Sequence, residues 1–485
     1  MSKKFYITTA IPYVNASPHI GFALEAIQTD VIARYHRGVL GEDTWFLTGS
    51  DDNSLKNVQA AEKEGIPVKE FVDRNSKVFA DLKKSLNLSN NDFIRTTSKK
   101  HFEGAQKLWK ACEKDIYKKK YKGLYCVGCE EFKKESDLQN GRCPEHPKDK
   151  IEVIEEENYF FSLSKYQKQL EKILGSDEYK IVPGTRKNEA LSFVKQGLED
   201  FSISRSKERA HDWGIPVPGD QSQVIYVWFD ALINYITGIG YVDDEKKFKN
   251  YWPADVHVIG KGILKFHAIY WPAMLLSAGV SLPKSLFVHG YVTTGGEKIS
   301  KSSGNSIDPA AIANKYGADA LRYYLLRYIP SYKDGDFSLN LFEERYGSDL
   351  ANDLGNLVQR ILTMVNKYEI KIEAAKKNLI TDTVSDLDQR TINNYIELFD
   401  FDKALERIWS TIKFCNKLID DEKPWILAKT DTETLGQKLQ ILSEYLFRIA
   451  VALEPFMPET SGKMKKQLKT LKPEPLFPRI ESRTF

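Results

Sequence analysis

The chain lacks any apolar run of the roughly 18 residues a membrane-crossing helix needs; the best stretch, Ala268 to Leu282, is broken by Pro272, Ser277 and Ser281. No cleavable leader is legible either, because Asn15, Ser17 and Pro18 interrupt the short apolar start. A soluble, cytoplasmic protein with no membrane partner is expected. The chain also lacks charge of one sign: 70 Lys+Arg stand against 67 Asp+Glu, which excludes a histone-like, purely electrostatic nucleic-acid binder. Local basic patches remain open, since the last 25 residues carry Lys463, Lys465, Lys466, Lys469, Lys472, Arg479 and Arg483 against two Glu. Cysteine is scarce, five in 485 residues, and in a reducing compartment clusters of it suggest metal binding or catalysis rather than disulfides. Neither a G-x4-G-K-[ST] loop nor a G-x-G-x-x-G fingerprint is present, for Gly260-Lys-Gly262 has no third glycine. Any nucleotide must be held by another device.

Glycine is nearly absent from the C-terminal part, with 25 of 29 in the first 340 residues. In that first part β-rich runs (Phe5–Thr9, Thr44–Leu47, Val224–Trp228, Val256–Ile259, Leu286–Val288) alternate with helical patterns such as Leu24–Leu40, which predicts an α/β parallel sheet. The pattern breaks between 115 and 208, as a small inserted domain would break it. From about 341 onward Leu354, Leu357, Val358, Ile361, Leu362 and Val365 recur at helical spacing, which predicts a bundle. The run Lys118-Lys-Lys-Tyr-Lys122 reads as a solvated loop.

Two segments carry phosphate chemistry. In Ala10-Ile-Pro-Tyr-Val-Asn-Ala-Ser-Pro-His19-Ile-Gly21-Phe22, a first strand meets a first helix, whose N-terminal amides favour an anion. His19 can donate there and Gly21 allows close approach, although the same letters describe a capping histidine beside a turn glycine. In Gly295-Gly-Glu-Lys298-Ile-Ser300-Lys301-Ser302, two lysines and neighbouring hydroxyls suit the charge of a reacting triphosphate. Separately, Cys126-x2-Cys129-x13-Cys143-x2-His146 offers two paired chelates closing one tetrahedral Zn²⁺ site. Four protein ligands leave no position for water, so the zinc is structural.

The two phosphate segments resemble the HIGH and KMSKS signatures of class I aminoacyl-tRNA synthetases. The segments Thr8-Thr-Ala-Ile-Pro-Tyr-Val-Asn, Phe93-Ile-Arg-Thr-Thr, Glu156-Glu-Asn-Tyr-Phe-Phe-Ser-Leu-Ser-Lys-Tyr, Ser202-Ile-Ser-Arg, Tyr226-Val-Trp-Phe-Asp-Ala-Leu-Ile-Asn-Tyr and His289-Gly-Tyr-Val resemble methionyl-tRNA synthetases of the single-zinc-knuckle form. The resemblance implies activation of L-methionine with ATP and Mg²⁺, then transfer to the 3′ end of tRNA(Met). The implied fold is a Rossmann-like parallel-sheet catalytic domain (1–114 and 209–283), a zinc-binding insert (115–208), a linking domain (284–340) and a C-terminal α-helical anticodon-binding domain (341–485). It also implies a methionine pocket of Ile11, Tyr13, Asp51, Trp228, Ala231, Leu232, Tyr235, Ile263, Phe266 and His267. His19, Gly21, Gly290, Val292, Lys298, Ser300 and Lys301 would hold ATP, with His19, Gly21, Lys298 and Lys301 catalytic. Asn352, Asn356 and Arg360, at i, i+4 and i+8 on one helix, and Trp425 would read the anticodon. Arg205 would sit near the acceptor end or the catalytic rim.

Three departures surround the implied site. Phe22 replaces the last His of HIGH, Asp51-Asp-Asn-Ser54 stands for Asp-Glu-His-Gly, and Gly262 stands for Asp in Gly-Lys-Asp-Ile. They motivate one rival, a non-catalytic tRNA-binding relative. Another rival, a class I synthetase for leucine, isoleucine or valine, conflicts with an insert of about 90 residues, too short for an editing domain. No extra dimerising module follows the bundle, so a monomer is expected; light scattering at working concentration should return the monomer mass, and a stable dimer would contradict it.

Overall fold

The structure, a computed structural model, describes residues 3–128, 131–144, 150–298, 307–372 and 388–478. The chain divides into two compact units: 1–18, 42–83 and 89–289 form the first, and 19–41, 84–88 and 290–485 the second. No helix among the described residues is long and apolar enough to cross a membrane.

The first unit is built on a six-stranded sheet, in spatial order Asp92–Arg95, Asp43–Ser50, Lys4–Thr9, Val256–Gly260, Ser285–His289 and Lys180–Val182. Every pairing is parallel. Phe5 to Thr9 and Val256 to Ile259 are buried without alternation, as strands covered on both faces must be. The order reverses between Lys4–Thr9 and Val256–Gly260, and it is beyond the carboxyl ends of strands at such a reversal that open α/β sheets bind ligands. The segments leaving those two ends, Ala10–Tyr13 and Lys261–His267, hold five of the ten expected methionine-pocket residues.

Three expectations are corrected. Val224–Trp228 does not join the parallel sheet: Val224 and Ile225 end the strand Asp220–Ile225, which pairs antiparallel with Ser204–Ser206 in a separate three-stranded sheet, and after Tyr226 the chain coils into the helix Val227–Ala231. Lys180–Val182, inside the expected insert, returns to the main sheet against Ser285–Phe287; three residues are too few for a period to show. Lys118–Lys122 is no loop but part of the strand Ile116–Cys126, antiparallel to Ile151–Phe161. There Lys120 faces Glu157 and Lys122 faces Glu155, so cross-strand charge pairing holds a sequence that reads as solvated.

The second unit gathers the helix Ile20–Arg34 with Ala318–Arg327, Phe401–Glu422, Thr432–Leu453 and Pro458–Thr470. Leu354, Leu357, Val358, Ile361, Leu362 and Val365 are all buried, although Tyr346–Gly355 is a π-helical stretch before the α-helix Asn356–Lys367. Asp30 and Arg322, both fully buried, meet at 2.8 Å. The same guanidinium donates to the carbonyls of Phe456 at 2.7 Å, Pro455 at 3.1 Å and Leu86 at 3.3 Å. Arg34 joins through Asp30 at 2.7 Å and the Asn87 carbonyl at 2.7 Å. Removing one member of such a pair strands the other charge. Arg322→Met should therefore lower unfolding free energy by about 3–5 kcal/mol, read from urea midpoints, and Asp30→Leu combined with Arg322→Met should lose less than Arg322→Met alone.

Candidate active site

Asp51 follows directly on the strand Asp43–Ser50 and forms a parallel bridge with Tyr13, its N–H donating to the Pro12 carbonyl at 2.9 Å. Its side chain is 2 % exposed and accepts from the Asn53 N–H at 3.1 Å and the Thr96 hydroxyl at 3.4 Å. Tyr13 approaches Trp228 at 6.3 Å between ring centroids, and Trp228 stacks on Phe266 at 3.8 Å with 7° between planes. Ala231, Leu232, Tyr235, Phe266 and His267 are buried, while Ile11, Tyr13, Trp228 and Ile263 are half-buried. The ten expected pocket residues thus include a continuous path from a carboxylate through Tyr13 to an aromatic wall.

The tautomer of His267 follows from its partners. Nδ1 lies 3.0 Å from the Ile263 carbonyl, which can only accept, so Nδ1 carries the proton and Nε2 accepts from the Tyr235 hydroxyl at 2.7 Å. Burial pulls this imidazole down to about 4, and the neighbouring His257 is lowered in the same direction, by burial first and then by His267. The ring is neutral at physiological pH. Its π-helical turn, Phe266–Tyr270, sets both Phe266 and His267; such turns concentrate at functional sites.

The altered run 51–54 is fully engaged. Asp52 accepts from Ser50 at 2.8 Å, Ser76 at 2.7 Å, Arg95 at 2.8 Å and Thr97 at 2.6 Å. Asn53 donates its amide to Asp230 at 2.7 Å and to the Thr96 carbonyl at 3.3 Å. Ser54 caps the helix Leu55–Glu64 by accepting from the Lys56 N–H at 3.0 Å. Asp230 also meets His101 Nε2 at 2.6 Å, and His101 Nδ1 meets Thr237 at 3.0 Å. The sequence reading missed Asp230 and His101; Asp230 lies within the segment 226–235, and nothing in residue order ties His101 to it. Gly262 lies exposed in the turn Lys261–Ile263.

In the second unit His19 is the N-cap of the helix Ile20–Arg34, its Nδ1 accepting from the Gly21 N–H at 3.1 Å. In the neutral ring the proton therefore sits on Nε2. A Cβ on Gly21 would lie 2.9 Å from His19 Cε1, so any other residue would push the ring aside. Phe22 is half-buried. A Cβ on Gly290 would fall 2.2 Å from the backbone of Lys333, which only glycine avoids. Val292 is buried in the strand Val292–Thr294, antiparallel to Glu297–Lys298. Ser300 and Lys301 lie outside the described residues.

Asn352 and Asn356 are exposed and Arg360 is half-buried, bound to Asp420 at 2.6 Å. Asn352 sits in the π-helical stretch, so the i, i+4, i+8 spacing is not that of one uniform α-helix as expected. Trp425 is 44 % exposed on the helix Pro424–Thr430. Cys126 ends the strand Ile116–Cys126 and Cys143 follows the Gln139–Arg142 bridge, both buried; Cys129 and His146 lie outside the described residues. Among the described residues no group of three or more metal-binding side chains occurs. The two buried thiols fit half of a zinc donor set. Cys112 and Cys415 are packed thiols, each pushed up to about 12 by burial.

Residues 5–152 and 136–362 match the family model of tRNA synthetases class I (M). A methionine–tRNA ligase of Caldanaerobacter subterraneus is 44% identical over 96% of this chain and 74% of its own length. One from Brucella suis is 43% identical over 95% and 91%. Mycobacterium tuberculosis methionyl-tRNA synthetase in complex with methionyl-adenylate superimposes with a TM-score of 0.91 at 39% identity, covering 98% of this chain and all of that one. The parallel sheet with its capped first helix, and these matches, define a class I aminoacyl-tRNA synthetase. Within that class the chain belongs to the methionyl-tRNA synthetases, the ligases that join methionine to tRNA with ATP.

The buried neutral imidazole has a pH signature. Above about pH 6.5 both folded and unfolded His267 are neutral; between there and about 4 only the unfolded chain takes the proton, so stability falls as pH falls. The loss should reach about 3 kcal/mol for His267. Urea midpoints measured from neutral pH down through this window should drop, and His267→Asn should flatten the drop.

Proposed function

We propose that Asp51 holds the methionine ammonium, while Trp228, Phe266, Tyr13, Ile11, Ala231, Leu232 and Ile263 enclose the side chain above the Tyr235–His267 pair. The observation that carries this is the neutral His267: a floor without charge favours a thioether over a cationic or anionic side chain. Aromatic contacts to sulfur contribute about 0.3–1.5 kcal/mol each. No protein nucleophile is needed, because the methionine carboxylate attacks the α-phosphate in line and pyrophosphate leaves.

His19 serves as a neutral donor through Nε2 to the triphosphate, beside the helix N-terminus and Gly21. Gly290 and Val292 accommodate adenosine, and Lys298 with Ser300 and Lys301 counters the charge that develops on the phosphates. Mg²⁺ enters with ATP as part of the substrate. Cys126, Cys129, Cys143 and His146 would hold one structural Zn²⁺, cross-linking a charged insert that has little core of its own. Asn352, Asn356, Arg360 and Trp425 read the tRNA(Met) anticodon, hydrogen-bonding side chains beside an exposed aromatic face being suited to unpaired bases. We place the enzyme in the cytoplasm as a monomer.

The hydrogen-bonded state of residues 51–54 supports a rearranged, working site over a non-catalytic relative. ATP–pyrophosphate exchange, run with methionine, leucine, isoleucine, valine and cysteine, distinguishes the two. Methionine alone should support exchange, and Lys301→Ala should reduce it by about 10²-fold or more. A folded, zinc-containing sample without exchange for any amino acid would overturn the catalytic reading.

A further inference from the structure

An ion pair leads from the expected zinc ligands to the wall of the methionine pocket, within the first unit. The strands Ile116–Cys126 and Glu131–Lys133 run antiparallel with Glu131 directly opposite Cys126, and Cys129 falls between the two in the chain. One Glu131 oxygen accepts from Lys133 at 2.8 Å and the other from Lys265 at 2.5 Å. Lys265 stands 134 positions away, directly before the π-helical turn Phe266–Tyr270. Its side chain is 32 % exposed and that of Glu131 16 %, so water screens the pair less than it would screen a surface salt bridge.

The Lys265 ammonium also lies 5.1 Å from the Tyr270 ring centroid and 5.2 Å from that of Phe193, within reach of cation–π attraction. Tyr270 stacks on Phe201 at 4.1 Å and meets Phe266 edge-on at 5.4 Å, and Phe266 lies against Trp228 at 3.8 Å. The element these contacts act on is the turn itself. A π-helical turn carries one residue more than α-helical geometry holds, and reverting to an α-helix would rotate the side chains on one side of it by about 100°, at 3.6 residues per turn. Phe266 and His267 open the turn, so their directions depend on what fixes its first residues. The Trp228 stack and the bond from His267 Nδ1 to the Ile263 carbonyl at 3.0 Å do so from inside the pocket. Lys265 does so from outside, through a carboxylate whose strand is paired at Cys126.

We infer that Lys265 is a positioning residue for methionine binding, and that the Glu131–Lys265 pair couples metal occupancy at Cys126 to the pocket. The inference rests on the reading that Phe266 and His267 line that pocket. With the segment between Cys126 and Glu131 closed on a metal, Glu131 is fixed, Lys265 is held by it, and the turn keeps its π-helical form; a two-state element biased from both ends is what coupling between separate sites requires. Methionine Kd is measured by equilibrium dialysis, and zinc Kd by equilibrium competition with a chelator, for wild type, Lys265→Met, Lys265→Arg, Glu131→Gln and Phe266→Ala. In the wild type, saturating methionine should tighten zinc binding about tenfold, an ordinary size for coupling between two sites. Lys265→Met and Glu131→Gln should weaken methionine binding by about the same factor, leave the ATP Kd unchanged and abolish the effect of methionine on zinc; Lys265→Arg should restore both. Zinc affinity indifferent to methionine in the wild type would overturn the inference, as would a Lys265→Met protein that binds methionine as the wild type does. Equal losses for methionine and ATP in Lys265→Met would also overturn it, since they mark general damage to the fold. Phe266→Ala separates the two failures: an unchanged methionine Kd there sinks the pocket reading, whereas weaker binding there with none in Lys265→Met sinks the coupling alone.

Discussion

The ion pair between Asp30 and Arg322 fixes the helix on which the second unit's chemistry depends. Asp30 lies ten residues beyond the start of the helix Ile20–Arg34, about 15 Å along its axis at 1.5 Å per residue, while the other end carries His19. Arg322 spends its remaining donors on carbonyls at 86 and 455–456, so pieces far apart in sequence converge on one guanidinium. A fork with five fixed N–H directions tolerates little displacement of any of them. The orientation of the first helix, and with it the direction of its N-terminal amides, is set by a contact about 15 Å away along the helix axis.

In the first unit the comparable constraint is saturation around residues 51–54. The departures from the family pattern look damaging when read as letters, because each removes a familiar side chain. In space each replacement is engaged: the Asp52 carboxylate accepts four hydrogen bonds, and the Asn53 amide ties Asp230, on the helix bearing Trp228, to the strand end bearing Asp51. The polar groups of the run tie the strand end to the helix Val227–Ala231 instead of leaving buried groups unpaired.

Much of this was legible from residue order. The buried runs Phe5–Thr9 and Val256–Ile259 announce parallel strands, and the helical spacing from Leu354 to Val365 announces one buried face. What stayed hidden depends on partners distant in sequence. Lys180–Val182 is a strand only because Ser285–Phe287 lies beside it, and the lysines at 118–122 are extended only because glutamates at 155–157 face them. The π-helical turns at 266–270 and 346–355 have no periodic signature distinct from an α-helix at such lengths. His101 and Asp230, separated by 129 positions, carry no mutual signal at all.

His19 illustrates a limit that the cap imposes. Its Nδ1 is occupied in accepting the Gly21 N–H, so a second proton on the ring would set two N–H groups against each other. Charging the imidazole, which would strengthen attraction for a phosphate, would at the same time cost the helix its side-chain cap. The ring can accept the Gly21 N–H or carry a full charge but not both, and the cap favours the neutral tautomer with its proton on Nε2.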